Sequence, residues 1–519
     1  MSGPTAWPAW QQLQRLAQAS PPPLGPLLHD PSRSPLIWRA AGVALHAGHQ
    51  PITAAVLAAL HGLAEQAQVL PQARAMAQGA MVNPTEGRPA LHVALRTPGL
   101  SQPPWGHEVE QAVQQARQAF LHTAQTVRQG QWLGANGQPV QAVVSLGIGG
   151  SDLGPRMACA ALAPNPNNEP TLRFVSTPDT WAMQRALHGL PPARTLFVVQ
   201  SKSFTTPETL WLLHAARQWL RQHGLAEAAH APHLVAVTAN PQGAAHAGFA
   251  ASHIHTFAPW VGGRYSVWSA VGLPLAMAIG APAFEDFLAG ARAMDEHFWQ
   301  ADPAHNLPLT LALLGVWNRN FLGSPSHVVA CYDSRLRHLP AYLQQLEMES
   351  NGKRVHRDGS PVQIDTAPTV WGGLGVDGQH AYFQLLHQGT HRVPVDLVAV
   401  QTDPHATPEE QQQARFMQQQ VAAQARALAL GRDTAQTQAW LENQGLDRAA
   451  ATALAPHRSY VGNVPSNQLW LDALTPFHLG ALLAAYEHKV FCQAMLWDIH
   501  PFDQWGVELG KTLAQTPTA

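Results

Sequence analysis

From residue 142 onward the chain alternates short apolar runs with helix-length segments, and this alternation narrows the possible folds more than any other feature. The runs fall at 142–146, 172–176, 195–200 and 234–238, with segments such as 209–222 between them. Strands that are apolar throughout must be covered on both faces, so the pattern predicts a parallel sheet packed between helices. A second set follows: helical 308–320, a strand at 327–332, helical 334–350 and a strand at 396–401. The expected fold class is α/β, with two αβα sandwich domains, parallel-rich sheets and an N-terminal helical segment. The expected boundaries are 1–114 for a helical region packing on the second domain, 115–290 for the first sandwich, 300–500 for the second, and 501–519 for a C-terminal segment. The first eighty residues read as helices interrupted by a proline loop at 21–26. Residues 407–455 read as exposed helices, and 469–497 as an apolar helix.

Composition removes several function classes. A chain of 519 residues is too long for one ordinary core. With 31 basic against 33 acidic residues and no basic stripe, neither nucleic acid nor a membrane surface is expected as a partner. The longest apolar stretch, 267–283, is broken by Gly272, Pro274, Gly280 and Pro282 and makes a poor membrane span. The N-terminus lacks the basic-then-apolar order of a signal peptide. Cys159, Cys331 and Cys492 are odd in number and far apart, which suits neither a disulfide framework nor a zinc site and points to a reducing, cytoplasmic setting. His, Asp and Glu show no ligand spacing, so no metal and no cofactor are expected.

Two strand-to-helix junctions carry chemistry. The run 142–146 leads into Gly147-Ile148-Gly149-Gly150-Ser151-Asp152-Leu153-Gly154. Asp152 stands where a dinucleotide fingerprint needs its third glycine, and no acidic ribose partner follows about twenty residues later. What remains is a glycine-rich turn with a hydroxyl at a helix start, which suits one small anion or a tight packed turn. The run 195–200 leads into Ser201-Lys202-Ser203-Phe204-Thr205-Thr206-Pro207-Glu208. Thr206 is placed to cap a helix, with Pro207 and Glu208 in its first turn. A cap needs one hydroxyl, whereas this loop carries four and a lysine. Both loops sit at the carboxyl ends of strands, where doubly wound sheets bind ligands, and together they favour a phosphate-monoester pocket. Of the four lysines, three (Lys202, Lys353, Lys511) lie in motif-dense segments.

Further blocks extend the pattern: Gly262-Gly263-Arg264-Tyr265-Ser266, Met348-Glu349-Ser350-Asn351-Gly352-Lys353, Gly378-Gln379-His380 and Asp503-Gln504-Trp505-Gly506-Val507-Glu508-Leu509-Gly510-Lys511. With Asn83-Pro84-Thr85-Glu86-Gly87-Arg88 and the two loops, in this order, the chain resembles the glucose-6-phosphate isomerase family over about residues 83–513. The resemblance implies two sugar-isomerase-type αβα domains, a homodimer, and interconversion of glucose 6-phosphate and fructose 6-phosphate. It implies phosphate binding by Gly150, Ser151, Ser201, Lys202, Ser203 and Thr206, the family having Thr where Ser203 stands. Gln345 and Gln504 match residues that contact sugar hydroxyls. Glu208 matches a residue that orients the ring-opening histidine.

The reaction itself sets requirements. Moving a proton between neighbouring sugar carbons needs one carboxylate that reaches both, and Glu349 matches the family base. Charge develops on the carbonyl oxygen, and a fixed guanidinium stabilises it; Arg264 matches that role, with Gly263 beside it permitting close backbone approach to the sugar. Ring opening needs acid–base groups: His380, which titrates near neutrality, and Lys511 match the family pair, and in the family the histidine comes from the partner subunit. Three alternatives remain at this stage: an isomerase that also accepts mannose 6-phosphate, a non-enzymatic sugar-phosphate regulator, and a metal-dependent isomerase. The regulator reading predicts loss of the base, which is present.

Overall fold

The computed structural model describes residues 3–515 apart from 20–21, 32, 34, 98–99, 101 and 164–169. Pro21 of the proline loop and the first two residues of the N-terminus lie outside the described residues. The chain forms two compact units, each from three segments: Pro71–Arg292, Gln345–Lys353 and Ile499–Ala519 in one, Met1–Leu70, Ala293–Gln344 and Arg354–Asp498 in the other. Among the described residues the first holds a five-stranded sheet and the second a six-stranded one. These limits differ from the linear boundaries expected above: the N-terminal region divides near residue 70, and the C-terminal segment and residues 345–353 count with the five-stranded unit.

The N-terminal division has a simple cause. β1 (Ile37–Ala40) and β2 (Val43–His46) form an antiparallel hairpin, which the helical reading of this region missed. Its turn residues Ala41 and Gly42 both have positive φ, 46° and 73°, as a two-residue hairpin turn requires. β2 then pairs antiparallel with the strand at Ser466–Leu471 and so draws the N-terminal segment into the six-stranded sheet. Four-residue strands are too short to show alternation. The helix His107–Arg128 instead packs on the helix Leu273–Ile279 within the five-stranded unit.

β3 (Ala142–Gly147), β4 (Thr171–Val175), β5 (Thr195–Gln200), β6 (Leu234–Thr238) and β7 (Ile254–Thr256) are all parallel, in the order β4-β3-β5-β6-β7. β3, β5 and β6 are buried along their whole length, as central strands of a doubly covered sheet must be. The chain winds outward in opposite directions from β3 and β5. Their carboxyl ends therefore mark the switch point, where a crevice opens above the sheet.

The six-stranded sheet continues with β8 (Ser326–Cys331), β9 (Thr369–Leu374), β10 (Val395–Val400) and β11 (Ser466–Leu471), in the order β1-β2-β11-β10-β8-β9. Residues 469–471, expected as helix, belong to β11, and the helix begins at Pro476. That helix, Pro476–Trp497, is buried at every residue from Leu479 to Trp497 and forms the spine of this unit's core. It ends at Asp498, which is left-handed at φ 56°. The Gln-rich helix Pro408–Leu430 is not wholly exposed. Val421, Ala425 and Leu428 form a narrow stripe that packs with Val395, Leu397 and Trp470. The broken apolar stretch becomes the helix Leu273–Ile279, with Pro274 in its first turn and Gly280 ending it at φ 86°. No described helix is long and apolar enough to cross a membrane. All three cysteines are buried and unpaired, and burial pushes their thiols well up.

Candidate active site

Both predicted loops lie at the switch point of the five-stranded unit. After β3, Gly149 adopts φ +58° and a single turn, Gly149–Ser151, precedes the helix Leu153–Leu162. The steric limit falls on Gly150. A methyl group there would meet the Gly263 carbonyl carbon and oxygen at 2.1 and 2.2 Å, whereas one on Gly263 would find Gly150 Cα at 3.9 Å. The approach expected at Gly263 is to the sugar; within the protein it is Gly150 that lets the Arg264 turn sit down on the glycine loop. Asp152 makes no cap bond and instead binds Arg156 through both carboxylate oxygens, each at 2.8 Å.

After β5, the buried Ser201 accepts from the Phe204 amide at 3.1 Å and donates to Thr206 Oγ1 at 3.2 Å. Thr206 holds the N-cap position of the helix Pro207–Gln222, but its side chain makes no cap bond, contrary to the capping role expected of it. Its oxygen instead accepts from Ser201, and among the described residues no side-chain cap bond from Thr206 reaches the first-turn amides, an end that suits an anion. Ser203 accepts from both the amide and hydroxyl of Thr205. Lys202 Nζ donates to the Val261 carbonyl at 2.8 Å. Burial first, then the Arg88 charge, lowers its pKa to about 8. An ammonium so poorly solvated is primed for an anionic partner.

The last turns of the helix Leu339–Asn351 bring Gln345 and Glu349 into this unit. Glu349 Oε2 accepts from Gln345 Nε2 at 2.8 Å and lies 3.4 Å from Arg264 Nη1. The Glu349 side chain keeps 24% exposure and that of Arg264 1%. Arg264 is locked on every side. Nε donates to Ser350 Oγ at 2.6 Å, Nη1 to Gln504 Oε1 at 3.1 Å, and Nη2 to the carbonyls of Pro501 and Asp503. Gln345 Oε1 is buried without a hydrogen-bond partner among the described residues, an acceptor left for a ligand hydroxyl. A carboxylate partly open to solvent beside a preorganised guanidinium can take a proton and stabilise the oxyanion that results.

Three expected residues stand outside this cluster. His380 ends the short helix Gly375–Gln379 of the six-stranded unit and is exposed. Glu208 is exposed in the first turn of Pro207–Gln222. Lys511 is exposed on the helix Glu508–Gln515 and pairs with Glu508 at 2.9 Å. Other residues build the cluster without having been given a specific role from the sequence: Ser350, Tyr265 (whose hydroxyl lies 3.0 Å from Ser350 Oγ), Asp503, and Lys353, which the sequence marked only as a lysine in a motif-dense segment. Each sits inside a block quoted above, one to four positions from a residue that was chosen. Among the described residues no three His, Cys, Asp or Glu side chains are grouped to hold a metal ion.

The fold and these loops define an α/β protein with two amide- and hydroxyl-rich loops at the switch point of a parallel sheet, beside a carboxylate–guanidinium pair. A family profile described as phosphoglucose isomerase matches residues 48–518, and the chain belongs to that family. It is 43% identical over 520 residues to glucose-6-phosphate isomerase 1 of Chromobacterium violaceum, covering 99% of this chain and 94% of that one. It is 46% identical to the glucose-6-phosphate isomerase of Cupriavidus metallidurans, covering 92% and 86%. The crystal structure of a glucose-6-phosphate isomerase from Chlamydia trachomatis superimposes with a TM-score of 0.84 at 32% identity, over 99% of this chain and 95% of that one.

Proposed function

We propose that the cluster around Glu349 carries the interconversion of glucose 6-phosphate and fructose 6-phosphate. The phosphate is held by Lys202 and by the amides and hydroxyls of Gly150, Ser151, Ser201, Ser203 and Thr206. His380, from the partner subunit of a homodimer, and Lys511 open the ring by moving a proton between the anomeric hydroxyl and the ring oxygen. The exposure of His380 and Glu208 supports this, since both are available to a second copy. For Lys511 to act, its pair with Glu508 opens.

In the open chain Glu349 takes the proton from C2, the C1–C2 double bond forms and the C1 oxygen becomes anionic beside Arg264. Glu349 then returns the proton to C1 while the proton on the C2 oxygen passes to the C1 oxygen, leaving the ketose. No net oxidation occurs. Gln345 and Gln504 hold the sugar hydroxyls. The observation that carries this reading is the placement of Glu349 Oε2 within 3.4 Å of a guanidinium locked by four other acceptors. The relatives' names specify glucose 6-phosphate, which does not favour the reading with mannose 6-phosphate as a second substrate. The unpaired cysteines support a reducing, cytoplasmic setting. The test is conversion of fructose 6-phosphate, coupled to oxidation of the glucose 6-phosphate formed, for wild type and Glu349→Gln. The variant should bind phosphorylated sugar and lose turnover; equal rates would overturn the mechanism.

A further inference from the structure

The turn at 83–88 belongs to the segments shared with the family, yet it has no part in the chemistry above. It is closed by a reciprocal pair of backbone bonds between Asn83 and Arg88, with Gly87 left-handed at φ 65°. Glu86 stiffens it from within, accepting from Asn83 Nδ2 at 2.6 Å and Arg88 Nε at 3.1 Å. Two of its side chains reach the loop at 501–504. Thr85 donates to Asp503 Oδ2 at 2.5 Å, and Glu86 Oε1 accepts from Gln504 Nε2 at 3.3 Å. The other carboxylate oxygen of Asp503 lies 3.2 Å from Lys353 Nζ. That ammonium also donates to the carbonyls of Glu349 at 3.1 Å, Ser350 at 2.8 Å and Asp503 at 3.0 Å.

Lys353 thus ties the end of the helix that carries Glu349 to the loop whose carbonyls hold Arg264. The last carbonyls of a helix have no partners within it, and a cation there offsets the negative end of its dipole. A compact ammonium can turn its three donors toward carbonyls that converge on one point, as the three carbonyls around Lys353 Nζ do. We infer that Lys353, anchored through Asp503 by the 83–88 turn, is a positioning residue for the proton transfer: it fixes the main chain of Glu349 against the seat of Arg264. The inference rests on the role proposed for Glu349.

A signature follows from the groups that face Lys353. Burial first, then Arg264 on the neighbouring turn, lower its pKa to about 8, while Asp503 and Glu349 oppose that shift. The clamp is charged below that value and is lost as pH rises through it, so kcat at saturating substrate should fall above pH 8. Lys353→Met should lower kcat by about 10²-fold with KM nearly unchanged, the size of effect expected from an ångström-scale misplacement. It should also abolish this alkaline limb. Asp503→Asn, which keeps the shape and removes the opposing charge, should move the limb to lower pH, and it decides the matter if the Met variant does not fold. A folded Lys353→Met with kcat within about threefold of wild type, or a limb unmoved in Asp503→Asn, would overturn the inference. Glu349→Gln in the same assay keeps the two claims apart: activity in that variant defeats the proposed function, whereas its inactivity beside a fully active Lys353→Met defeats the clamp alone.

Discussion

Each unit contains a carboxylate set among cations and amides, and the two are put to opposite uses. In the six-stranded unit Asp396 is wholly buried. His327 Nε2 lies 3.0 Å away, Tyr486 donates at 2.9 Å and Asn467 at 2.8 Å. Gln50 in turn donates to Asn467, and Asn318 to Gln50. In the five-stranded unit Glu349 has two donors directed at one oxygen and keeps a quarter of its side chain open. Both carboxylates face one amide and one basic group, but Asp396 also takes a phenol. A carboxylate saturated by donors holds a fold in one arrangement, whereas one left partly unsatisfied at the end of a helix can accept a proton from a substrate.

Paired substitutions break or sharpen this contrast. The largest effect expected is on Glu349→Gln, about 10⁴-fold in kcat with the melting temperature unchanged, read by the coupled assay beside thermal melting. Asp396→Asn should do the reverse. Removing one partner of a buried ion pair costs about 3–5 kcal/mol, so urea unfolding should shift strongly while kcat of the folded fraction stays the same. Burial alone would push the Asp396 carboxyl up, but the His327 charge and hydrogen bond, the Lys489 charge and the Asn467 hydrogen bond together hold it below the usual range. Its contribution is therefore present above the unfolded carboxylate pKa and lost as pH falls through the folded value. Wild type should lose this increment on acidification and the Asn variant should not.

Arg264→Lys keeps the charge and gives up the fork, and should lower kcat by about 10²–10³-fold without loss of fold, as removal of one oxyanion donor does. Lys202, with its pKa near 8, should impose a fall in kcat/KM as pH rises through that value. Lys202→Arg should carry the fall upward while the limb in kcat stays in place. The smallest effect is expected for Tyr486→Phe, about 1–3 kcal/mol in unfolding for one unmet acceptor, with no change in the kinetics.

Much of this was legible beforehand because it rests on local chemistry. Continuous apolar runs announced β3, β5 and β6, and the hydroxyls around Lys202 announced an anion loop, since burial pattern and turn composition are properties of a few adjacent residues. The β1–β2 hairpin was not legible, because its place in the sheet depends on pairing with a strand more than four hundred residues away. Lys353 stands out in the sequence as a lysine in a motif-dense segment, and its bonds to the Glu349 and Ser350 carbonyls are local, but its link to Asp503, and that of Asp503 to Thr85, join segments far apart in the chain and could not be read beforehand.

The sequence by itself determined the layered α/β architecture and the two carboxyl-end loops, and it supplied Glu349 and Arg264 as a base and a charge. Tertiary structure decided which strands would be neighbours, and hence that β3 and β5 flank the switch point. It decided that Gly150, more than Gly263, has no room for a side chain. It also decided that Ser350, Gln504 and two loop carbonyls would hold the guanidinium where Glu349 can use it. The physical reason is range: propensity and burial act over a few residues, whereas the orientation of a buried charge is set by whatever distant groups the fold packs against it.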